Sequence, residues 1–349
     1  MRSQIIQEDL ENIISANLPW GELAGKNVLI SGANGFLPAY MVETLLFINE
    51  RKTTPEKTKV IGLVRNKDKA IARFSHHLGR SDFQLIVQDV CQVIHIEEKI
   101  DYIVHAASQA SPKYYGKDPV GTLAANVIGT SNLLGLAKTQ KLTGFMYFSS
   151  SEVYGQVDDS RIPTQESDYG YVDPTNIRSC YAESKRMGET ICVSWFHQYG
   201  IPTKIVRPFH TYGPGMSLDD GRVYADFVAD IIHGQDIIIN SDGTATRAFC
   251  YLADAVQGFF TVMLKGENGQ SYNVGNPEEE VSILDLANQL VNLFPKNELT
   301  VTKKNAKNQE YIRSKVFRNS PNIDKIKALG WQPITSIEVG FRRTIESFL

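Results

Sequence analysis

The stretch KNVLISGANGFLPAYMVETLLFIN, residues 26–49, changes character twice: a short apolar run, a turn built on Gly32 and Gly35, then a long apolar run at helical spacing. Such a strand, glycine turn and helix bring backbone amides up to an anion, because glycine lets the chain approach closely and the helix start supplies free N–H groups. Asn34, Phe36 and Leu37 belong to the same turn and are candidate cofactor contacts. Two glycines alone also make an ordinary tight turn, so the downstream strands decide between the two. KVIGLV (59–64), a helix near 67–78, QLIV (84–87), DYIVHA (101–106), a helix near 119–139, GFMYFSS (144–150) and TKIVRP (203–208) continue the alternation. Short apolar strands alternating with helices predict a parallel sheet covered on both faces, an α/β, Rossmann-like doubly wound fold.

Three regions emerge from this pattern. Residues 1–24 form a helical extension, with Ile5, Ile6, Leu10, Ile13, Ile14 and Leu18 at helical spacing before Pro19. Residues 25–208 form the dinucleotide-binding domain, which 249–266 is expected to rejoin. Segments 209–248 and 267–349, rich in Gly, Pro and short helices, are assigned to a smaller C-terminal substrate-binding lobe.

With 349 residues, 42% hydrophobic and 21% charged, the chain has the composition of a soluble globular protein. A net charge of −3 offers no field for nucleic acid or an anionic membrane, so a small-molecule partner is expected. Cys91, Cys180, Cys192 and Cys250 are scattered without a C-x-x-C pair, suggesting reduced thiols and no metal site. No apolar run has the length of a membrane span, and the acidic start is unlike a signal peptide. The cytoplasm is the expected compartment.

Chemistry concentrates in YFSSSEVYG (147–155) and SCYAESKRMGE (179–189). Tyr181 and Lys185 share a helix face at i and i+4, so the ammonium is expected beside the phenol, favouring its ionised form. An isolated Tyr and Lys at this spacing more often merely line a helix. Here Tyr181 is expected to accept a proton from a hydroxyl, with Ser150 donating to the same oxygen. Glu152, two residues beyond Ser150, is expected on the same side of a strand by alternation, and Ser151 lies between them. Asp89, in the QDV after the third strand, suits the adenine edge, and Val90 comes directly after it. Arg65 ends the second strand, where an NAD-binding fold presents an acid to the ribose hydroxyls. An arginine there favours a 2′-phosphate and makes NADP an alternative to NAD, although Arg65 equally suits adenine stacking or solvent.

In order along the chain, the glycine turn, HAAS (105–108), Asn126 in NVIGT, Ser150 and the Tyr181-x-x-x-Lys185 pair resemble the extended short-chain dehydrogenase/reductase family that modifies nucleotide sugars. Within it, HAASQASPKYYGKDPVGTLAANVIGTSNLLGLAK (105–138), SSSEVYG, RSCYAESKRMGET (178–190), GPGMSLDDGRV (213–223) and TRAFCYLADAV (246–256) look like UDP-glucuronate decarboxylases, which form UDP-xylose. The resemblance implies that Ala106, Ala107, Ser108 and Asn126 contact the cofactor, that Arg222 and Arg247 face an anionic nucleotide sugar, and that the enzyme is a homodimer joined through the Tyr181 helix. Ser111, Tyr114, Tyr115 and His210 are further candidate substrate contacts, with aromatic packing an equal reading for Tyr114 and Tyr115. The chain departs from the family pattern at Pro38 (a glycine), Arg65 (an acid), Ala124 (a lysine), His210 (an asparagine) and Gly215 (an arginine).

A 4-keto sugar formed by Tyr181 would make a carboxylate or proton at C5 labile, and Glu152 is placed to serve that carbon. Dehydratases pair an aspartate with this glutamate to expel water. Ser151 stands at the aspartate position, and its hydroxyl is too weak an acid for that role. Decarboxylation needs no leaving-group acid, so a UDP-glucuronate decarboxylase-like reaction is the leading expectation. Dehydration, epimerisation and an NADPH-dependent keto-sugar reduction are the alternatives, and a binding module without activity is a further one.

Overall fold

A computed structural model of the chain describes residues 3–51, 56–304 and 316–349; residues 305–315 of the expected lobe lie outside them. Strands β1 (Asn27–Ser31), β2 (Lys59–Val64), β3 (Phe83–Val87), β4 (Tyr102–His105), β5 (Gly144–Phe148) and β6 (Thr203–Pro208) match the sequence expectation closely. The short strands β7 (His210–Tyr212), β8 (Ile237–Ile239) and β9 (Thr246–Tyr251) come next, then β10 (Ser271–Val274). The main sheet is parallel and runs β10-β6-β5-β4-β1-β2-β3. Chain order reverses between β1 and β4, and in such sheets the ligand crevice lies beyond the strand ends at that point. The seventh strand, β10, is not apparent from sequence; it arises inside the stretch assigned to the substrate lobe. Only four residues long, SYNV carries too little apolar pattern to stand out.

Side chains alternate between two cores. Leu29, Ile61, Ile103, Phe145 and Ile205 face Leu133 and Leu134, whereas Val28, Ile30, Val60, Val104, Met146 and Val206 face the opposite layer. Burial on both faces explains why the strands read as unbroken apolar runs. The helices are α1 (Gln4–Ser15), α2 (Phe36–Arg51), α3 (Lys67–Arg73), α4 (Pro119–Thr139) and α5 (Ser179–Tyr199), then α6 (Val223–Ile232), α7 (Leu252–Lys265), α8 (Ile283–Leu293), α9 (Asp324–Lys327) and α10 (Ile337–Glu346). Helices α4 and α5 pack side by side, and α1 packs on α2 and α7. Helix α4 has an 18-residue window of mean hydropathy 1.3, long and apolar enough to cross a membrane, and 44% of that window is buried in the fold. Thr122, Asn126 and Thr130 interrupt it, which is why no uninterrupted apolar run shows in the sequence.

Outside the main sheet, β11 (Glu280–Ser282) and β13 (Arg318–Asn319) flank β9, β7 adds to β9, and β12 (Val301–Lys303) pairs with β8. Helix α1 is fixed by a charge as well as by Leu10 and Ile13. The buried Asp9 carboxylate accepts from Tyr40 Oη at 3.1 Å, Tyr251 Oη at 2.8 Å and Arg343 Nη2 of α10 at 2.8 Å. Burial pushes the Asp9 carboxyl above its usual pKa, and the hydrogen bonds from Tyr251 and Arg343 act against that.

Candidate active site

A cleft of about 520 Å³ opens where the glycine turn, the segment after β4, the end of β5, the start of α5 and the 208–224 segment meet. Gly32 has φ +67°, and a Cβ there would stand 2.7 Å from Ala107 Cα, so the turn and the post-β4 loop touch backbone to backbone. Ser31 locks that contact: its Oγ accepts from the Ala106 and Ala107 amides, both at 3.2 Å, and meets His105 Nδ1 at 2.8 Å. Burial, then the Lys185 charge, lowers the His105 pKa to about 3, so the imidazole is neutral. Gly35, Phe36, Leu37 and Ala106 line the cleft, as does Ser108, whose buried Oγ has no hydrogen-bond partner. A cradle without side chains and an unsatisfied hydroxyl beside it fit a dinucleotide phosphate. Pro38 sits in the first turn of α2, where its missing N–H costs nothing.

Tyr181, Lys185, Ser150, Ser151 and Glu152 all reach the cleft. Their electrostatics differ from the expectation. Lys185 Nζ donates to the Phe148 carbonyl at 2.6 Å and lies 5.7 Å from the Tyr181 ring centre. Burial pulls the Lys185 pKa down to about 7 and pushes the Tyr181 phenol up to about 12. The Ser150 hydroxyl and then the Arg222 charge act against that rise; Glu152 and Asp220 reinforce it. The phenol is thus not lowered by its helix neighbour in the protein alone, because desolvation outweighs a charge that burial itself suppresses.

Strand β5 ends at Phe148, so the alternation argument for Glu152 does not hold. Ser150 instead caps a short 3₁₀ turn, Ser151–Tyr154, accepting from the Glu152 amide at 3.2 Å. The tight turn still delivers Glu152 to the cleft, where Arg178 Nη2 approaches it at 3.4 Å. Arg178 is a site neighbour that sequence reasoning missed, and Tyr115, a sequence candidate for the sugar pocket, lines the cleft. Tyr115 stacks on Tyr181, and its own hydroxyl donates to Ala110 O at 3.0 Å.

At the other end, Ser111, Tyr114, His210 and Arg222 line the cleft. Arg222 pairs with Asp220 and donates to Ala110 O at 2.7 Å, while Ser111 Oγ donates to Asp220 O. Lys113 Nζ joins the same strap at Asp219 Oδ2, 2.8 Å away. His210 is held neutral by burial and by the nearby Arg247 and Arg222 charges, and its Nδ1 is buried without a partner. Arg247 does not line the cleft; it donates to the Thr246, Val316 and Phe317 carbonyls. Gly215, where the family pattern has an arginine, lies against Arg73: a Cβ at 215 would be 2.7 Å from Arg73 Nη2. Arg73 thus supplies a guanidinium from α3 beside the position where the side chain is missing.

Arg65 lies on the cleft just beyond the end of β2, together with Lys69, which the sequence did not single out. Asp89 stands 3.9 Å from Arg65 and accepts from the Cys91 amide. Gly32, Asn34, Asp89 and Ala107 are not on the cleft wall. Val90 is 6% exposed within the core against α4, and Asn126 is fully buried, donating to Thr122 O and Ser184 Oγ. Both are placed to hold helices in register.

A doubly wound sheet with a glycine phosphate turn and a Ser-Tyr-Lys set in one cleft defines an enzyme of the short-chain dehydrogenase/reductase type. The chain belongs to the NAD dependent epimerase/dehydratase family, whose sequence profile matches residues 28–275. UDP-glucuronic acid decarboxylase 3 of Arabidopsis thaliana is 36% identical over 324 residues, covering 92% of this chain and 88% of that protein. Among solved structures, epimerase Mth375 of Methanothermobacter thermautotrophicus matches with TM-score 0.80 and 21% identity over 99% of this chain and 95% of that one. The UDP-glucuronic acid 4-epimerase of Bacillus cereus, solved with UDP-glucuronic acid and NAD, matches with TM-score 0.73 and 23% identity over 92% and 98%.

Proposed function

We propose that the enzyme decarboxylates a nucleotide-linked glucuronate, UDP-glucuronate being the leading candidate, through transient oxidation at C4. The observation that carries this reading is Ser151 and Glu152 beside Tyr181 with no aspartate before the glutamate. The 36% identity to a UDP-glucuronic acid decarboxylase supports it.

A nicotinamide dinucleotide, when bound, supplies the acceptor for the C4 hydride and returns that hydride later. Gly35, Phe36, Leu37, Ala106 and Ser108 would hold it. Tyr181, in its ionised form, takes the C4 hydroxyl proton, and Ser150 steadies the phenol oxygen through its hydrogen bond. As the C5–carboxylate bond breaks, CO₂ leaves and its bonding electrons spread onto the C4 carbonyl oxygen. Glu152, or water it orients, returns a proton to C5. Tyr181 then gives its proton back to the C4 oxygen as hydride returns, closing a redox-neutral cycle. Arg222 and His210 would face the sugar and diphosphate.

Incubation with UDP-glucuronate, read by product mass, tests the reaction. Loss of one CO₂ without added reductant supports it; an unchanged mass, or loss of one water from UDP-glucose instead, overturns it. A reductase reading draws on Arg65 and is distinguished by stoichiometric NADPH consumption. Assembly as a homodimer through α4 and α5 belongs to the same proposal; Leu123, Ile128 and Met187 leave exposed apolar surface there. Residence in the cytoplasm does too. Light scattering and cell fractionation test these.

A further inference from the structure

We infer that the adenosine end of the cleft selects a dinucleotide carrying a 2′-phosphate, gripped by Arg65 and Lys69 together. This rests on reading the cleft as a dinucleotide site and goes beyond it by fixing which form binds.

Arg65 comes directly after the last residue of β2, the position closest to an adenosine ribose in a doubly wound sheet. In an NAD-binding fold a carboxylate there accepts the ribose 2′-hydroxyl proton, whereas a guanidinium offers donors only. Lys69 lines the same cavity, four residues on, and adds three more donors and no acceptor. Its backbone is fixed, because Asn66 Oδ1 accepts from the Lys69 amide at 2.9 Å. Asp89, the carboxylate paired with Arg65, does not restore an NAD-type acceptor. It stands 3.9 Å from a guanidinium that is 67% exposed, a separation that binds weakly, and its Oδ1 is engaged by the Cys91 amide at 2.8 Å. The positive field of Arg65 also reaches Asp118, at the start of α4, and lowers its carboxyl pKa after the hydrogen bonds from Gln109 and Gly121. Two donor-only cations on one cavity wall match an acceptor-only dianion.

A phosphate at this position is remote from the nicotinamide, so the redox-neutral cycle at C4 is unaffected by it. The two readings therefore fail separately.

Calorimetric titration of the purified chain with adenosine 2′,5′-bisphosphate and with 5′-AMP isolates this end of the cleft, since neither probe carries a nicotinamide. The bisphosphate is expected to bind about tenfold or more tightly, as two charge-assisted contacts allow. NADP⁺ should exceed NAD⁺ in the same sense. Arg65→Ser should remove most of the preference and Lys69→Ala part of it; both side chains lie on the cleft wall outside the core, so folding is spared. Equal or tighter binding of 5′-AMP and NAD⁺, or a preference that survives Arg65→Ser intact, overturns the inference whatever the chain does to UDP-glucuronate.

Discussion

The rings of Tyr115 and Tyr181 are stacked, with centroids 5.1 Å apart and planes 16° from parallel. Tyr115 is only 3% exposed, tied to Ala110 O, and faced by the Arg178 guanidinium 5.6 Å from its centre. The proposed base is thus clamped by a second tyrosine that is itself clamped. Tyr115→Leu should lower kcat about tenfold with a smaller change in KM, because it loosens the aim of the phenol and removes no charge. Equal changes in the two constants would show that Tyr115 serves binding instead.

Tyr181→Phe should lower turnover by about a hundredfold or more while dinucleotide binding, read by calorimetry, persists. A turnover close to the parent's would remove Tyr181 from proton transfer.

Glu152→Gln should still allow C4 oxidation and then stall at C5. The expected signature is a dinucleotide that reduces on mixing with UDP-glucuronate and stays reduced, read at its near-ultraviolet absorbance, with formation of the C5-protonated product slowed about a hundredfold. Undiminished formation of the C5-protonated product would make Glu152 a bystander.

Lys185 has a folded pKa of about 7 against an ordinary value of 10.5, so the unfolded chain binds the extra proton between those values. Stability should therefore rise with pH through this window in the dinucleotide-free protein, by up to about 1.4 kcal/mol per pH unit. Lys185→Met should flatten that slope. Denaturant midpoints between about pH 7 and pH 9 check it, inside the window where the two states differ in bound protons. Identical slopes in parent and variant would show that the ammonium is not desolvated.

Asp9→Ala should destabilise the fold by about 3 kcal/mol, because it strands Arg343 and two tyrosine hydroxyls that had converged on one carboxylate. Glu8, 2.8 Å from Arg343, keeps the loss at the low end of that class. An unchanged urea midpoint would mean that α1 contributes little.

Much of this arrangement is legible in the sequence, and the gaps have specific causes. The six leading strands and the Tyr181–Lys185 face obey local periodicities, which a sequence displays directly. Arg178 reaches the site through a turn whose direction no periodicity encodes, and the stacking of Tyr115 on Tyr181 is likewise invisible to spacing. Lys69 sits on a short helix whose charged residues look like any solvated face until a cavity is seen beside one of them. Glu152 reaches the cleft for a different reason from strand alternation: the strand has already ended, and a 3₁₀ turn does the delivering. The balance between Tyr181 and Lys185 escapes sequence reasoning because spacing reports proximity and says nothing of desolvation.

The bond between Arg343 and Asp9 spans 334 residues of chain. During synthesis the first helix emerges long before its cation exists, carrying an acid destined for a dry environment. That acid gains its guanidinium partner only once α10 has been made and this long loop has closed.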